Sequence, residues 1–251
     1  PLVGHHLADY LYHCSIIYLG EEMNFGIIAA MPQELKILVE HLQDKAETNV
    51  LGRTYYQGRI GQHDVVLVQS GIGKVMSAMS VAILADHFAV DVIVNTGSAG
   101  AVADGIAIGD VVVANQLAYH DVDVTAFGYA YGQMAGQELY YPADQALLEQ
   151  LRTVLAEQEI INHVGLIVTG DSFIAGQERI TTIKTHFPEV LAVEMEGAAI
   201  AQAAVNTGKP FLVIRAMSDT AQGDANITFD EFIIQAGERS AQILIAFLEK
   251  Y

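Results

Sequence analysis

The sequence has little cysteine and little positive charge. It contains one cysteine, Cys14, and 12 Lys and Arg against 30 Asp and Glu, which gives a formal net charge of -18 at pH 7. A single thiol near the N-terminus leaves the remaining chain without an intrachain disulfide, a thiol nucleophile or a zinc–thiolate cluster. The acidic excess repels a phosphate backbone and an anionic membrane surface, so we expect neither nucleic acid nor membrane as a partner.

Long apolar runs are also missing. No run approaches the roughly 18 apolar residues that a membrane-spanning helix needs, and runs such as VVLV and VIVN have the length of strands. Residues 1–22 contain no Lys or Arg and are interrupted by His and Asp, unlike a signal peptide. We predict that residues 1–22 are a leader outside the native domain, that residues 23–251 form one domain, and that the protein is cytoplasmic.

What the sequence does contain is enough apolar residues for a large core. Hydrophobic residues make up 52% of the chain and charged residues 17%, and from Asn24 short β-rich runs alternate with longer helical patterns. This alternation predicts an α/β fold in which helices cover a sheet. A hairpin with Gly61 at its turn makes the predicted sheet mixed. The predicted strands are 24–30, 54–60, 63–69, 91–97, 110–116, 164–171, 191–196 and 210–219.

Two glycine-bearing segments follow apolar strands: SGIGK at 70–74 and NTGSAG at 95–100. Each is typical of a tight strand-to-helix turn, and glycines there also let a ligand approach the backbone. Ligands of such sheets bind beyond the carboxyl ends of the strands, so the two segments together favour a nucleoside or phosphate pocket. NTGSAG lacks Lys and Arg, which suits an uncharged ligand group better than a phosphate.

Two glutamates stand in an otherwise apolar or small stretch, AVEMEGAAIA at 192–201. Glu194 and Glu196 are two residues apart, so they point to one face while the chain is extended. A buried unpaired carboxylate costs several kcal/mol. We therefore predict that one glutamate is paired with a basic residue, for which Arg215 is the best candidate. The other is free to accept hydrogen bonds from a vicinal diol such as ribose.

Three further groups have both an ordinary and a functional interpretation. Glu34 lies in the first turn of a predicted helix, where it either complements the helix dipole or contributes to a site. The polar residues of YHDVD at 119–123 lack metal-ligand spacing, so we interpret them as loop residues and predict no metal. The aromatics of FGYAY at 127–131 form an apolar lid, a subunit contact or part of the core.

Several longer motifs together resemble one family over essentially all of 23–251. They occur in the family's order: GIIAAMPQE, SGIGKV, NTGSAG, YHDVDVTAFGYAYGQ, GLIVTGDSFI, AVEMEGAAIA, RAMSD and TFDEF. The chain resembles the bacterial 5′-methylthioadenosine/S-adenosylhomocysteine nucleosidases of the nucleoside phosphorylase superfamily. The resemblance implies a three-layer αβα sandwich with a mixed central sheet. It also implies a hydrolase of methionine salvage that needs no cofactor. It would release adenine from methylthioadenosine, S-adenosylhomocysteine and 5′-deoxyadenosine.

The resemblance also assigns roles to residues of the matching motifs. Glu34 corresponds to the base that activates water, and Asp219 to the acid that protonates N7 of adenine. Glu196 corresponds to the residue that holds the ribose hydroxyls, with Met195 against the sugar. The two catalytic carboxyl groups need opposite protonation states, which requires environments that separate their pKa values.

The adenine and alkylthio ends of the pocket follow from the same resemblance. Phe173 would stack on the base, and the Ile174 backbone would read its edge. Phe127 would close the alkylthio pocket of a neighbouring subunit, which implies a homodimer. The residues that would line the region of base, sugar and attacking water are Ser98, Gly100 and Arg215.

Two other functions compete with the hydrolase interpretation. A purine nucleoside phosphorylase shares the fold but binds phosphate, for which the glycine segments offer only Lys74. A non-catalytic nucleoside-binding protein would have no reason to keep Glu34 and Asp219 together. The sequence departs from the family's pattern at Pro32 and Gln33, which replace a commonly acidic pair and remove negative charge near Glu34.

Overall fold

The computed structural model describes residues 21–221 and 225–251, apart from the side chains of 225–228, so part of the predicted leader lies outside the described residues. The strands are β1 (Asn24–Ala29), β2 (Gln43–Val50), β3 (Arg53–Ile60), β4 (His63–Gln69), β5 (Val92–Ala101), β6 (Val111–Tyr119), β7 (Tyr141–Pro142), β8 (Asn162–Thr169), β9 (Val190–Glu194) and β10 (Phe211–Asp219). The helices are α1 (Pro32–His41), α2 (Lys74–Asp86), α3 (Gln145–Glu157), α4 (Gln177–His186), α5 (Gly197–Asn206) and α6 (Ala225–Lys250).

The strands form one mixed sheet in the order β10-β6-β8-β9-β5-β1-β4-β3-β2, with β7 beside β6. Strand β10 also pairs with β5, so β5, β9, β8, β6 and β10 close into a ring from which β1, β4, β3 and β2 extend. The pairs β1–β4, β1–β5 and β5–β10 are parallel, whereas β3–β4, β6–β10 and β5–β9 are antiparallel. The predicted mixed sheet is confirmed.

Helices cover both faces of this sheet. Leu38 of α1, Leu151 of α3 and Leu244 of α6 pack against one face in a single apolar cluster. Leu84 of α2 and Ile200 of α5 belong to the cluster on the other face. The chain is therefore an α/β protein with three layers, because apolar runs of the strands are buried on both sides. Within the described ranges, no helix is long and apolar enough to cross a membrane.

Two segments differ from the sequence-based expectation. Strand β2, QDKAETNV, was not predicted because it is a polar and largely exposed edge strand without alternating apolar residues. The predicted strand 91–97 ends too early, and the interpretation of NTGSAG as a turn is wrong, since 95–100 continue β5 and are all buried. Glycine is needed there for close packing: a Cβ on Gly97 would lie 2.9 Å from Arg215 Nη1 and from Glu34 Oε1. The segment 70–74 is the predicted strand-to-helix turn.

Candidate active site

A cavity of about 290 Å³ lies where the ends of β1, β5, β9 and β10 meet. The loops after β4 and β8 complete its wall. Its lining residues are Ala30, Met31, Glu34, Ile72, Ser98, Ala99, Gly100, Ser172, Phe173, Ile174, Val193, Glu194, Met195, Glu196, Arg215, Ser218, Asp219 and Phe229. The structure thus brings together both predicted catalytic residues and every predicted substrate-binding residue except Phe127.

Glu34 is buried at the third position of α1 and turns its carboxylate toward β5. Its Oε2 accepts hydrogen bonds from the backbone N–H groups of Ala30 and Met31, both at 3.0 Å. Its Oε1 accepts from Ser98 N at 3.1 Å and Ser98 Oγ at 3.0 Å. Four donors converge on one carboxylate, which fixes its orientation and favours its role as an acceptor. A helix-dipole role alone does not explain the two contacts with β5.

Glu194 is the member of the glutamate pair that is held by structure. Its Oε2 accepts from the Arg215 guanidinium and from the N–H groups of Glu196 and Gly197, at 2.9 and 2.6 Å. Its Oε1 accepts from the hydroxyl of Thr169. The carboxylate is therefore paired and also satisfies two N–H groups at the start of α5. The residue is 6% exposed, so this pairing offsets a real desolvation cost.

Glu196 has fewer partners at similar burial. Its Oε1 accepts one hydrogen bond, from Gly73 N at 3.0 Å, and its Oε2 lies 3.4 Å from Arg215 Nη2. Burial raises the pKa of Glu196 to about 7, against the opposing charge of Arg215. The carboxyl group thus retains acceptor capacity that faces the cavity.

Arg215 lies on β10, is 1% exposed, and is already engaged by protein groups. Its Nη1 donates to Ser98 O at 3.0 Å, and its Nη2 donates to Glu194 and to Asn95 Oδ1. Among the described residues that line the cavity, Arg215 is the only cation. Its charge is offset by Glu194 and partly by Glu196. This geometry leaves little positive charge for an anionic ligand such as phosphate.

Asp219 is the last residue of β10 and lines the same cavity as Glu34. Its Oδ1 accepts from Ala221 N at 2.7 Å, and its Oδ2 accepts from Ser218 Oγ at 3.0 Å. Burial raises the pKa of the Asp219 carboxyl above its ordinary value, although both hydrogen bonds act against the shift. A Cβ on Gly100 would lie 2.7 Å from Asp219 Oδ1, so glycine at this position makes room for the acid.

The remaining predicted residues divide into two groups. Ser98, Gly100, Ile174 and Met195 line the cavity, as does Phe173, whose ring is 41% exposed at the rim. Phe127 does not line it: the residue ends a 3₁₀ turn (Thr125–Phe127) and is 82% exposed. The core-packing interpretation of Phe127 is therefore wrong.

Sequence reasoning missed several wall residues and one polar contact. Ile72, Val193 and Phe229 also line the cavity. The contact between Gly73 N and Glu196 was not expected, although the glycine-rich segment 70–74 was a usable signal. Gly73 has φ of 98°, which favours glycine, and this conformation turns its N–H toward the carboxylate.

The polar residues at 119–123 do not form a metal site. Asp121 accepts hydrogen bonds from Lys74 Nζ, and Asp123 accepts from Thr125. In the part of the chain that the structure describes, no group of three or more His, Cys, Asp or Glu side chains is placed to hold a metal ion.

Comparison with known proteins assigns the chain to a family. A family model described as the phosphorylase superfamily matches residues 24–249. The 5′-methylthioadenosine/S-adenosylhomocysteine nucleosidase of Listeria monocytogenes serotype 4b is 46% identical over 231 residues, which covers 90% of this chain and 99% of the relative. The chain belongs to the methylthioadenosine/S-adenosylhomocysteine nucleosidase family. The resemblance found in the sequence is confirmed.

Solved structures of the family agree with this assignment. The S-adenosylhomocysteine nucleosidase of Streptococcus pyogenes, in complex with 5-methylthiotubericidin, has a TM-score of 0.90 and 64% identity, covering 92% of this chain and 98% of that one. The nucleosidase of S. pneumoniae with the transition-state inhibitor MT-ImmA has a TM-score of 0.89 and 67% identity, covering 91% and 99%. The predicted nucleoside phosphorylase-like fold is confirmed.

Proposed function

We propose that the protein hydrolyses the N-glycosidic bond of 5′-methylthioadenosine and S-adenosylhomocysteine, and also of 5′-deoxyadenosine, releasing adenine and the sugar. One observation carries the proposal: Glu34 and Asp219 line the same cavity with different hydrogen-bonding environments. Glu34 accepts four hydrogen bonds, whereas burial raises the pKa of Asp219. Two carboxyl groups set apart in this way suit a base and an acid acting in one reaction.

Asp219 is proposed as the general acid. Adenine is a poor leaving group unless N7 is protonated, so the acid must hold a proton when substrate binds. The N–H of Ala221 is an obligatory donor and occupies Oδ1, which leaves Oδ2 to carry the proton. The Ser218 hydroxyl next to Oδ2 can rotate toward Ala99 O, which lies 3.4 Å from its oxygen. Asp219 can therefore be protonated without leaving the donors of Ala221 and Ser218 unpaired.

Glu34 is proposed as the base that takes a proton from water. The backbone N–H groups of Ala30, Met31 and Ser98 hold its carboxylate at one place. The Ser98 hydroxyl can rotate away from Oε1, which frees a lone pair there to accept the proton of the attacking water. The transition state carries positive charge on the sugar, and Glu196 lies on the same cavity wall. Ribose hydroxyls that donate to Glu196 favour its charged form, which in turn stabilises the cationic sugar.

The phosphorylase alternative finds little support in this cavity. Phosphate binding calls for free cationic groups, but Arg215 already donates to Glu194, Asn95 and Ser98. The buried carboxyl groups of Glu34, Glu194 and Glu196 act on Arg215 and would repel an anion. The direct test is to incubate methylthioadenosine with the protein in phosphate-free buffer. We expect stoichiometric release of adenine, and an absolute need for phosphate would refute hydrolysis.

Glu196→Gln is expected to stabilise the empty protein while weakening catalysis. The folded-state pKa of about 7 lies above the ordinary 4.5, so the charge destabilises the fold fully above pH 7 and not at all below pH 4.5. The amide removes this cost, and we expect about 1–3 kcal/mol of added unfolding free energy near pH ~8 and only about a quarter of that near pH ~5. We expect kcat/KM to fall by about tenfold or more because the charge opposite the cationic sugar is lost.

Glu194→Gln is the matched control for this experiment. The same change at Glu194 removes the charge that pairs with the buried Arg215, so it should destabilise the protein at both pH values. Urea unfolding at the two pH values measures both variants. A destabilising effect of Glu196→Gln near pH ~8 would contradict the assigned environment of Glu196.

We further propose a homodimer in which Phe127 of one subunit closes the alkylthio end of the other subunit's pocket. The support is the exposure of Phe127, 82%, together with that of Ile72, which lines the cavity, and of Val75 in α2, 54% and 68%. Large apolar side chains that are exposed on a subunit are typical of a protein interface. Sedimentation at micromolar concentration should give twice the chain mass.

Phe127→Ala should raise KM for methylthioadenosine by about tenfold, the order expected when a buried aromatic contact is lost. Binding of free adenine should stay unchanged, because adenine has no alkylthio group. Ile161→Ala is a matched control, since Ile161 is 64% exposed and lies beside the amino end of β8, away from the cavity. An active monomer, or equal KM values for the two variants, would disprove the shared pocket.

A further inference from the structure

Three loops meet beside Glu196 through one charged cluster. The loop after β6 contributes Asp121, whose Oδ1 and Oδ2 accept from Lys74 Nζ at 2.9 and 2.8 Å. Asp121 Oδ2 also accepts from Asp171 N, in the loop after β8, at 2.9 Å. Lys74, the first residue of α2, thus joins segments that are 47 and 97 residues away along the chain. The side chains of Lys74 and Asp121 are only 23% and 26% exposed.

Asp171 completes the cluster by capping α2 from outside that helix. Its Oδ1 accepts from Lys74 N at 2.8 Å. The residue at the N-cap position is Gly73, which has no side chain to perform this function. A Cβ on Gly73 would lie 3.0 Å from Asp171 Oδ1, so glycine permits the approach of the capping carboxylate. An N-cap supplied by a distant loop fixes the start of α2 relative to that loop.

The cluster adjoins Glu196 through Gly73, the residue directly before Lys74. Gly73 N donates to Glu196 Oε1 at 3.0 Å, and Gly73 directly precedes the fixed Lys74. On the other side, Asp171 directly precedes 172–174, which line the cavity. The same three charged residues therefore orient the donor to Glu196 and anchor the segment that carries Phe173 and Ile174.

We propose that Lys74, Asp121 and Asp171 form a clamp that positions the Gly73 N–H on Glu196 and thereby sets recognition of the ribose. The inference rests on the proposed role of Glu196 in ribose binding. The clamp residues are positioning residues: they act through Gly73 and do not line the cavity. Loss of the clamp leaves Glu196 without its backbone donor, so the carboxylate no longer presents one fixed acceptor geometry to the two sugar hydroxyls.

Asp171→Ala tests the clamp. We expect kcat/KM for methylthioadenosine to fall by about tenfold, mainly through KM, which is the order of one hydrogen bond to a charged group. The substitution keeps the backbone N–H of Asp171 on Asp121, which anchors 172–174, so the affinity for free adenine should change less than about twofold. Asp171→Asn keeps an oxygen for Lys74 N and should restore most of the activity. Lys74→Met keeps the cap on α2 but removes the ion pair with Asp121. We expect it to lower kcat/KM as Asp171→Ala does, by a smaller factor.

Two controls separate positioning from a general loss of stability. Asp144 caps α3 through Leu147 N at 3.0 Å, outside the cavity, so Asp144→Ala should lower thermal stability without changing KM. In a Glu196→Ala background, Asp171→Ala should lower kcat/KM less than about twofold, because the group that it positions is gone. An undiminished tenfold loss in that background, or Asp171→Ala kinetics equal to those of Asp144→Ala, would overturn the clamp. Failure of the unmodified chain to release adenine would instead overturn the proposed function together with the clamp.

Discussion

Asp219→Asn is expected to lower kcat by at least about 10²-fold, the usual effect of losing a general acid, while adenine affinity changes only a few-fold. Asparagine fits the site: its oxygen can accept from Ala221 N, and its amide can donate to N7 or to the Ser218 hydroxyl. The variant therefore keeps the hydrogen bond to the base but has no proton to deliver. Adenine titration and steady-state kinetics on the folded variant measure the two effects separately.

Asp144→Asn is the matched control for Asp219→Asn. Asp144 is a helix cap outside the cavity, and Asn caps a helix about as well as Asp, so this change should leave both stability and kcat nearly unaltered. If Asp219 served only to hold Ala221 N, the two substitutions would behave alike. Near-normal kcat in Asp219→Asn would remove this residue from the mechanism.

Glu34→Gln is expected to lower kcat by about 10²–10⁴-fold, because an amide cannot accept the proton of the attacking water. The change also has a structural cost. Each carboxylate oxygen of Glu34 accepts from two donors, so the amide nitrogen must face either Ala30 N and Met31 N or the two donors of Ser98. We expect a loss of about 1–3 kcal/mol of unfolding free energy, the cost of buried donors without an acceptor.

The two effects of Glu34→Gln are separated by working below its unfolding temperature and measuring binding of a non-hydrolysable substrate analogue. Retained binding with the low kcat identifies Glu34 as the base. Glu149→Gln, an exposed residue of α3 that forms a surface ion pair with Arg152, should change neither property. A kcat of Glu34→Gln within about tenfold of the unmodified chain would contradict the assignment.

The fold was largely predictable from local pattern. The buried strands are short apolar runs, and the hairpin at Gly61 combines such runs with a residue that readily adopts positive φ. Strand β2 was not predictable, because its edge position removes the need for apolar residues. The end of β5 at 98–101 was not predicted because the small residues of NTGSAG are typical of turns. Here they serve instead to let Glu34, Arg215 and Asp219 approach the backbone of β5.

The candidate site was also only partly predictable from the sequence. The spacing of Glu194 and Glu196 predicted that one of them would pair with Arg215, and the structure assigns this role to Glu194. The Gly73 contact with Glu196 spans 123 residues and depends on the register of β4 beside β1 and on the start of α2. No local pattern encodes such a contact, since it arises only when distant loops are brought together by the sheet. Exposed Phe127 likewise has no partner within one subunit's cavity, and its proposed role depends on a second copy of the chain.

The identity of the sugar product tests the central claim most directly. Methylthioadenosine should be incubated with the protein in phosphate buffer, and the products should be separated and weighed by mass spectrometry. Hydrolysis predicts free 5-methylthioribose in an amount equal to the adenine released, with the same yield when phosphate is omitted. A sugar 1-phosphate, formed only when phosphate is present, would contradict the account.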